Sequence, residues 1–169
     1  CINSDLANNF GNLCQRVTAF AIKNCNGKIP NDIKFENDDL KILDKFKLDL
    51  NLIREKIDNQ DINFYISFIV NTLFEANKYF NDQEPWKKKD NILRLNTIVY
   101  TSLEIIRKVS FMLYPIIPQS ALKALKIFDI NETEIKFSSL ENHNYLKSNN
   151  IINKIDILFK KIEKKDDWF

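Results

Sequence analysis

The feature that most constrains this chain is a helical period of apolar residues that recurs, with interruptions, from residue 6 to residue 127. Leu6, Phe10, Leu13, Val17 and Phe20 repeat at four and three residues and form one apolar stripe. Asn3, Ser4 and Asp5 can cap its start. Asn26-Gly27 offers a left-handed stop, and Ile29-Pro30 then favours an extended chain, so residues 26–38 read as a loop. A second stripe, Leu43, Phe46, Leu50, Ile53 and Ile57, predicts an amphipathic surface helix capped by Asp38 or Asp39.

Asp58-Asn59-Gln60-Asp61 supplies a turn and a new cap, after which Ile62, Ile66, Ile69, Leu73, Ala76 and Phe80 carry the next stripe. Phe64, Phe68 and Phe74 make that helix apolar on most sides, which predicts a place in the middle of a bundle. Proline is tolerated in the first turn of a helix, so Glu84-Pro85-Trp86 predicts a helix that starts near residue 85. It carries Ile92, Leu95, Val99, Ile106, Val109 and Leu113 to Tyr114-Pro115, a length of roughly 30 residues. Pro118 opens a short helix through Ala121, Leu122, Leu125 and Ile127. From residue 129 the pattern weakens, and Ile151 to Phe159 reads as a short helix or an extended tail. The expected fold is all-α: a bundle of about five helices over residues 1–128 with an irregular C-terminal tail over 129–169.

Composition bounds the chemistry. At 169 residues, 44% hydrophobic and 28% charged, the chain suits one globular domain. Its two glycines, Gly11 and Gly27, cannot build a glycine-rich phosphate loop. His143 is the single histidine, and Cys1, Cys14 and Cys25 fall in no CxxC or HExxH spacing, so no metal site is expected. Cys14 and Cys25 stand roughly 16 Å apart if one helix holds both, too far for a disulfide. No apolar run is long enough to span a membrane and no signal peptide is recognisable, so a reduced, cytoplasmic chain with no membrane partner is expected. A start at Cys1 suggests a piece of a longer protein. The net charge of +2 excludes a uniformly basic coat but allows a local basic patch.

No nucleophile, base and orienter can be assembled without His143, which lies in a polar stretch and reads as solvated. Asp38-Asp39 and Asp166-Asp167 read as caps or solvated charge. No catalytic site is expected. Three other features stand out. Asn12 and Arg16, four residues apart, point the same way from the flank of the first stripe and can hydrogen-bond base edges or phosphates; spacing alone favours a solvated flank. Trp86 beside Lys87, Lys88 and Lys89 suits a stacked unpaired base and its phosphates, or a tryptophan that caps the core edge. Asn77 and Tyr79 precede the turn, with the blander reading stronger still.

The stretch from Asn3 to Arg16, NSDLANNFGNLCQR, resembles the opening of the anticodon-binding domain of methionyl-tRNA synthetases. Ala76-Asn77-Lys78-Tyr79-Phe80 with Glu84-Pro85-Trp86 resembles that family's helix-end motif, and Leu113-Tyr114-Pro115-Ile116-Ile117-Pro118-Gln119 its proline-bounded turn. Leu158-Phe159-Lys160-Lys161-Ile162-Glu163 is similar to its closing segment, with Lys160-Lys161 where the family often has Pro-Arg. The resemblance implies that Trp86 stacks on an unstacked base of a CAU anticodon and that Asn12 and Arg16 hydrogen-bond base edges or backbone. Asn77 matches a further motif position near that site.

The family's His-Ile-Gly-His and Lys-Met-Ser-Lys-Ser type signatures are absent. The resemblance therefore implies a non-catalytic C-terminal portion with no cofactor of its own, while ATP, with magnesium, and methionine react in a missing catalytic domain. The implied partners are the anticodon loop of tRNA-Met and that catalytic domain, on which the tail at 129–169 would pack if not on the bundle. No dimerising extension is recognisable, so a monomer is expected. Two alternatives stay open: the related domain of a class I synthetase for isoleucine, valine, leucine or cysteine, and a helical protein-interaction module.

Overall fold

A computed structural model of the chain describes residues 2–47, 55–56, 58–59 and 61–154. Among these residues are five delimited α-helices and several short 3-10 turns, with Glu55, Lys56 and Asp58 also helical and a single isolated antiparallel bridge between Lys28 and Ile151. Helix α1 (Ile2–Asn24) buries Leu6, Phe10, Leu13 and Val17 of the predicted stripe, with Ala21 buried and Phe20 only partly so at its end. It already includes Asn3, Ser4 and Asp5, so these residues lie in its first turn and do not precede it as caps. Asn26 and Gly27, with φ of 57° and 68°, close it in the left-handed region as expected.

Helix α2 (Asn37–Leu43) reaches only the first residue of the second stripe, Leu43, and Glu55, Lys56 and Asp58 near the far end of that stripe are also helical. Its N-cap is Glu36, and Asp39 serves the start only by accepting from the Glu36 N–H at 2.9 Å; neither Asp38 nor Asp39 is the cap. The helix gives way to a 3-10 turn, Asp44–Phe46, which still delivers Phe46 to the core. Leu50, Ile53 and Ile57 of that stripe lie outside the described residues.

Helix α3 (Ile62–Gln83) starts where expected, with the Asp61 carboxylate accepting from the Phe64 N–H at 3.4 Å. It is not the central helix, because Phe64 and Phe74 are 49% and 70% exposed. That place belongs to α4 (Ile92–Leu113), in which every residue from Thr97 to Leu113 is buried against α1, α2, α3 and α5. Its 22 residues begin at Ile92, after an Asn91 cap that accepts from the Arg94 N–H at 3.3 Å, and not near residue 85. Pro85–Lys87 forms a separate 3-10 turn. Helix α5 (Pro118–Leu125) opens on its proline as predicted.

A helix buried on all sides that carries Glu104, Arg107 and Lys108 must satisfy those charges internally. Arg107 donates to Glu104 at 2.7 Å, to the Asn142 carbonyl at 2.6 Å and to the Ser139 carbonyl at 3.0 Å. Lys108 donates to the carbonyls of Leu140 and Asn142. Residues 137–146 hold one short 3-10 helix, Phe137–Glu141, and the charged groups of α4 pair the carbonyls of Ser139, Leu140 and Asn142 around its end. Ile130, Leu140, Leu146 and Ile152 thereby join the same core as the helices. His143 is not solvated: its side chain is 11% exposed and stands 2.9 Å from both Lys108 Nζ and Asp44 Oδ1.

Candidate nucleic-acid interface

The flank of α1 meets the last turns of α3 at one edge of the bundle. The Arg16 guanidinium donates through Nη2 to Asn81 Oδ1 at 2.6 Å and through Nη1 to Asn77 Oδ1 at 3.4 Å. Its Cζ stands 5.3 Å from the centroid of the Phe80 ring, a cation–π contact. Asn77 is fixed in turn by its own amide, which donates to the Leu73 carbonyl at 3.1 Å. One helical turn of α3, residues 77 to 81, thus holds the guanidinium from its edge and its face. Both partners on the edge are neutral, and among the described residues no carboxylate pairs with Arg16. Arginine has five N–H donors, so three remain for an acceptor-bearing ligand.

Phe80 links Arg16 to the tryptophan. Its ring is 2% exposed and meets Trp86 with centroids 6.0 Å apart at 64°, and Phe20 of α1 at 5.8 Å. Trp86 is left 42% exposed, with one side supported by the core and the remaining surface available to a flat ligand. Asn12 is exposed on α1, one turn before Arg16. The structure therefore brings Arg16, Asn77 and Trp86 into one connected cluster, and places Asn12 beside it on the same helix.

Chain direction at Trp86 follows from Pro85. A proline disfavours the helical region for the residue before it, so α3 stops, and Glu84 takes the left-handed region at φ 46°. Backbone bonds from Lys87 to the Glu84 carbonyl and from Lys88 to the Pro85 carbonyl close the turn. Of the three lysines, Lys87 pairs with Glu84 at 2.6 Å, which holds the Glu84 carboxyl below its usual range, and Lys88 donates to the Gln83 carbonyl at 3.1 Å. Lys89 is exposed.

Behind the turn lies a buried ion pair invisible in the spacing of the sequence. Arg94 donates to both oxygens of Asp39 at 2.7 and 3.0 Å, and Tyr79 donates to the same carboxylate. Asp39 is 0% exposed, neither the helix cap nor the solvated charge that the sequence suggests for the Asp38-Asp39 pair. Burial works against the Arg94 charge, but the hydrogen bonds and charge of Asp39 outweigh it and hold the guanidinium above its ordinary pKa. Burial, then Asp39, pushes the Tyr79 phenol up. In the sequence Phe80 is only a stripe residue and Asn81 reads as the start of the break before Pro85, whereas the helix runs on to Gln83; the four-residue step from Asn77 is the one signal that pairs Asn81 with Asn77.

Among the described residues no group of three or more His, Cys, Asp or Glu is placed to hold a metal, and no helix is long and apolar enough to cross a membrane. The arrangement suits hydrogen bonding to an acceptor-rich edge next to an aromatic stacking surface, and it contains no nucleophile or proton-transfer pair.

Known proteins show what the chain as a whole is similar to. Residues 29–168 match the family model described as the anticodon binding domain of methionyl tRNA ligase. The methionine–tRNA ligase of Thermotoga maritima is 35% identical over 167 residues, which cover 98% of this chain and 26% of that protein. The enzyme of Rickettsia felis is 37% identical, covering 96% of this chain and 32% of its own length. Both alignments extend through the α1 residues that precede the family match. Among solved structures, apo Mycobacterium tuberculosis methionyl-tRNA synthetase superimposes with a TM-score of 0.83 at 28% identity, over 95% of this chain and 33% of that one. The chain spans about a quarter to a third of the length of the curated relatives it matches. Its sequence, helix order and fold agree on one assignment: the chain belongs to the family of anticodon-binding domains of methionyl-tRNA ligases.

Proposed function

We propose that this chain reads the CAU anticodon loop of tRNA-Met, as the non-catalytic part of a methionine–tRNA ligase. The observation that carries the reading is the Arg16–Phe80–Trp86 cluster, in which a guanidinium with free donors stands on a ring that also supports a half-exposed indole. An unpaired loop presents base edges and flat base faces that duplex RNA hides, and a rigid bundle holds groups to meet both. Trp86 stacks one base, Arg16 and Asn12 hydrogen-bond base edges or backbone, and Asn77 holds Arg16 while remaining near the ligand. Lys89 adds charge for a loop phosphate. ATP, with magnesium, and methionine would react in another part of the parent chain, and tRNA selection falls to this one in a monomeric, cytoplasmic enzyme.

Equilibrium titration against anticodon stem-loops that differ only in the loop sequence, at one stated salt concentration, tests this. The CAU loop is expected to bind most tightly, and Trp86→Ala to cost about 1–3 kcal/mol of that binding with the circular dichroism spectrum unchanged. Arg16→Ala should narrow the gap between CAU and the other loops. Equal weak binding to every loop would remove the anticodon reading and turn attention to protein partners.

A further inference from the structure

We infer that Gln83 is a positioning residue for Trp86, and that it acts from behind the turn through a tether to the buried Arg94–Asp39 pair. The inference rests on the anticodon reading above, since a positioned indole matters to binding only if the indole meets the ligand. Gln83 is the last residue of α3, immediately before the left-handed Glu84 that turns the chain into Pro85 and Trp86. Three contacts converge on it. Its Oε1 accepts from Arg94 Nη2 at 2.7 Å, its Nε2 donates to Asp38 at 3.3 Å, and its main-chain carbonyl accepts from Lys88 Nζ at 3.1 Å.

These contacts tie the turn on both sides. Arg94 is itself immobile, because both oxygens of the fully buried Asp39 hold the same guanidinium and Tyr79 holds Asp39. Gln83 thus connects the end of α3 to α4 and α2 at the point where the helix ladder no longer fixes the backbone. A non-glycine residue in the left-handed region is strained and persists only where its surroundings over-determine it. Gln83 and Lys88 bracket Glu84–Lys87 and supply that constraint. Phe80 supports the indole ring from the core side, but an edge contact alone leaves it free to pivot as the turn shifts. The tether sets the turn, and the turn sets the ring.

The test uses the full chain in a Trp168→Phe background, so that Trp86 is the single indole of the two in the sequence. Gln83→Met keeps the shape and removes both the acceptor for Arg94 and the donor to Asp38, while Gln83→Glu gives up the exposed donor to Asp38 but keeps the acceptor for Arg94, the contact that the inference turns on. Acrylamide quenching of Trp86 is expected to rise with Gln83→Met and to stay near the parent value with Gln83→Glu. Affinity for the CAU stem-loop is expected to fall roughly fivefold with Gln83→Met, a fraction of the full stacking contribution. In a Trp86→Ala background the same substitution is expected to change affinity less than twofold, the signature of a residue that acts through the indole. Quenching and affinity both unchanged by Gln83→Met, or an equal loss with and without Trp86, would overturn the inference, while a loss on Trp86→Ala in the same titration would leave the anticodon reading standing. No effect of Trp86→Ala on any loop would overturn both.

Discussion

A carboxylate with no exposed surface survives in a fold only where other groups supply what water would, and Asp39 has two N–H donors from Arg94, the phenol of Tyr79 and the Glu36 N–H. Its own local sequence points elsewhere. Two adjacent acids at a helix start read as caps, and nothing in their spacing reveals that the second one faces inward to meet an arginine 55 residues away. The same holds for His143, a lone polar residue in sequence and a bridge between Lys108 and Asp44 in the fold. Periodicity reports which face of an element is apolar; it carries no information about which polar residue from another element reaches that face. Because removal of one partner strands the other charge, Asp39→Ala should destabilise the chain by about 3–5 kcal/mol in urea unfolding. Arg94→Met added to Asp39→Ala should recover part of that loss. Strictly additive losses would mean that the two side chains do not depend on each other.

The elements were legible where turn chemistry is local and opaque where tertiary contacts choose. Asn26-Gly27, Asp61 and Pro118 each mark a boundary by what they do to their own backbone, and each boundary stands where the sequence places it. Pro85 permits a helix that includes Trp86, yet Pro85–Lys87 closes as a separate 3-10 turn and α4 waits for Asn91. The apolar content of α3 pointed to a central position, whereas α4 takes it despite the polar residues Thr97, Thr101, Glu104 and Arg107 along its length. Counting apolar residues misses this, because a buried helix can carry charge if a neighbouring segment lends its carbonyls. At the site, Asn12, Arg16, Asn77 and Trp86 stand out chiefly through family resemblance, since spacing alone favours solvated or core-edge roles. Asn91 fixes where α4 begins, and Asn91→Ala should lower stability by about 1 kcal/mol, as expected for a lost side-chain cap, in thermal or urea unfolding. An unchanged midpoint would show that the Pro85 turn sets the start of α4 by itself.

Across the whole molecule, α4 is the axis to which the helices on one side and residues 137–146 on the other are both attached, and the second attachment adds buried charge to the apolar contacts of Leu140 and Leu146. Burial, then the neighbouring Arg107, pushes the Lys108 amine down to about 7, although it donates to the Leu140 and Asn142 carbonyls and stands 2.9 Å from His143 Nδ1. Glu104 and Asp44 oppose that shift, and Lys47 adds to it. Burial also lowers the His143 pKa, while His143 lowers that of Asp44. A base whose pKa is depressed on folding binds fewer protons in the native state than in the unfolded chain, so stability rises with pH between the two values. For Lys108 that window opens near pH 7 and extends toward the ordinary lysine value of 10.5. His143 and Asp44 act in the same direction at lower pH, each withdrawing stability as the medium becomes acidic. Above roughly pH 8.5 the thiols of the unfolded chain begin to ionise, whereas burial pushes Cys25 up to about 11 and holds Cys14 protonated, so the trend there reverses. Urea unfolding followed from pH 6 to 8.5 should therefore show stability that climbs with pH, and Lys108→Met should flatten the climb. Amide exchange read over the same range should place the acid-side loosening in residues 137–146, whose carbonyls Lys108 and Arg107 hold, while α1 and α3 stay protected. Equal slopes for the two proteins, or loosening that begins in α1, would show that the segment is held by its buried Leu140 and Leu146 and that the charges of α4 only fill space.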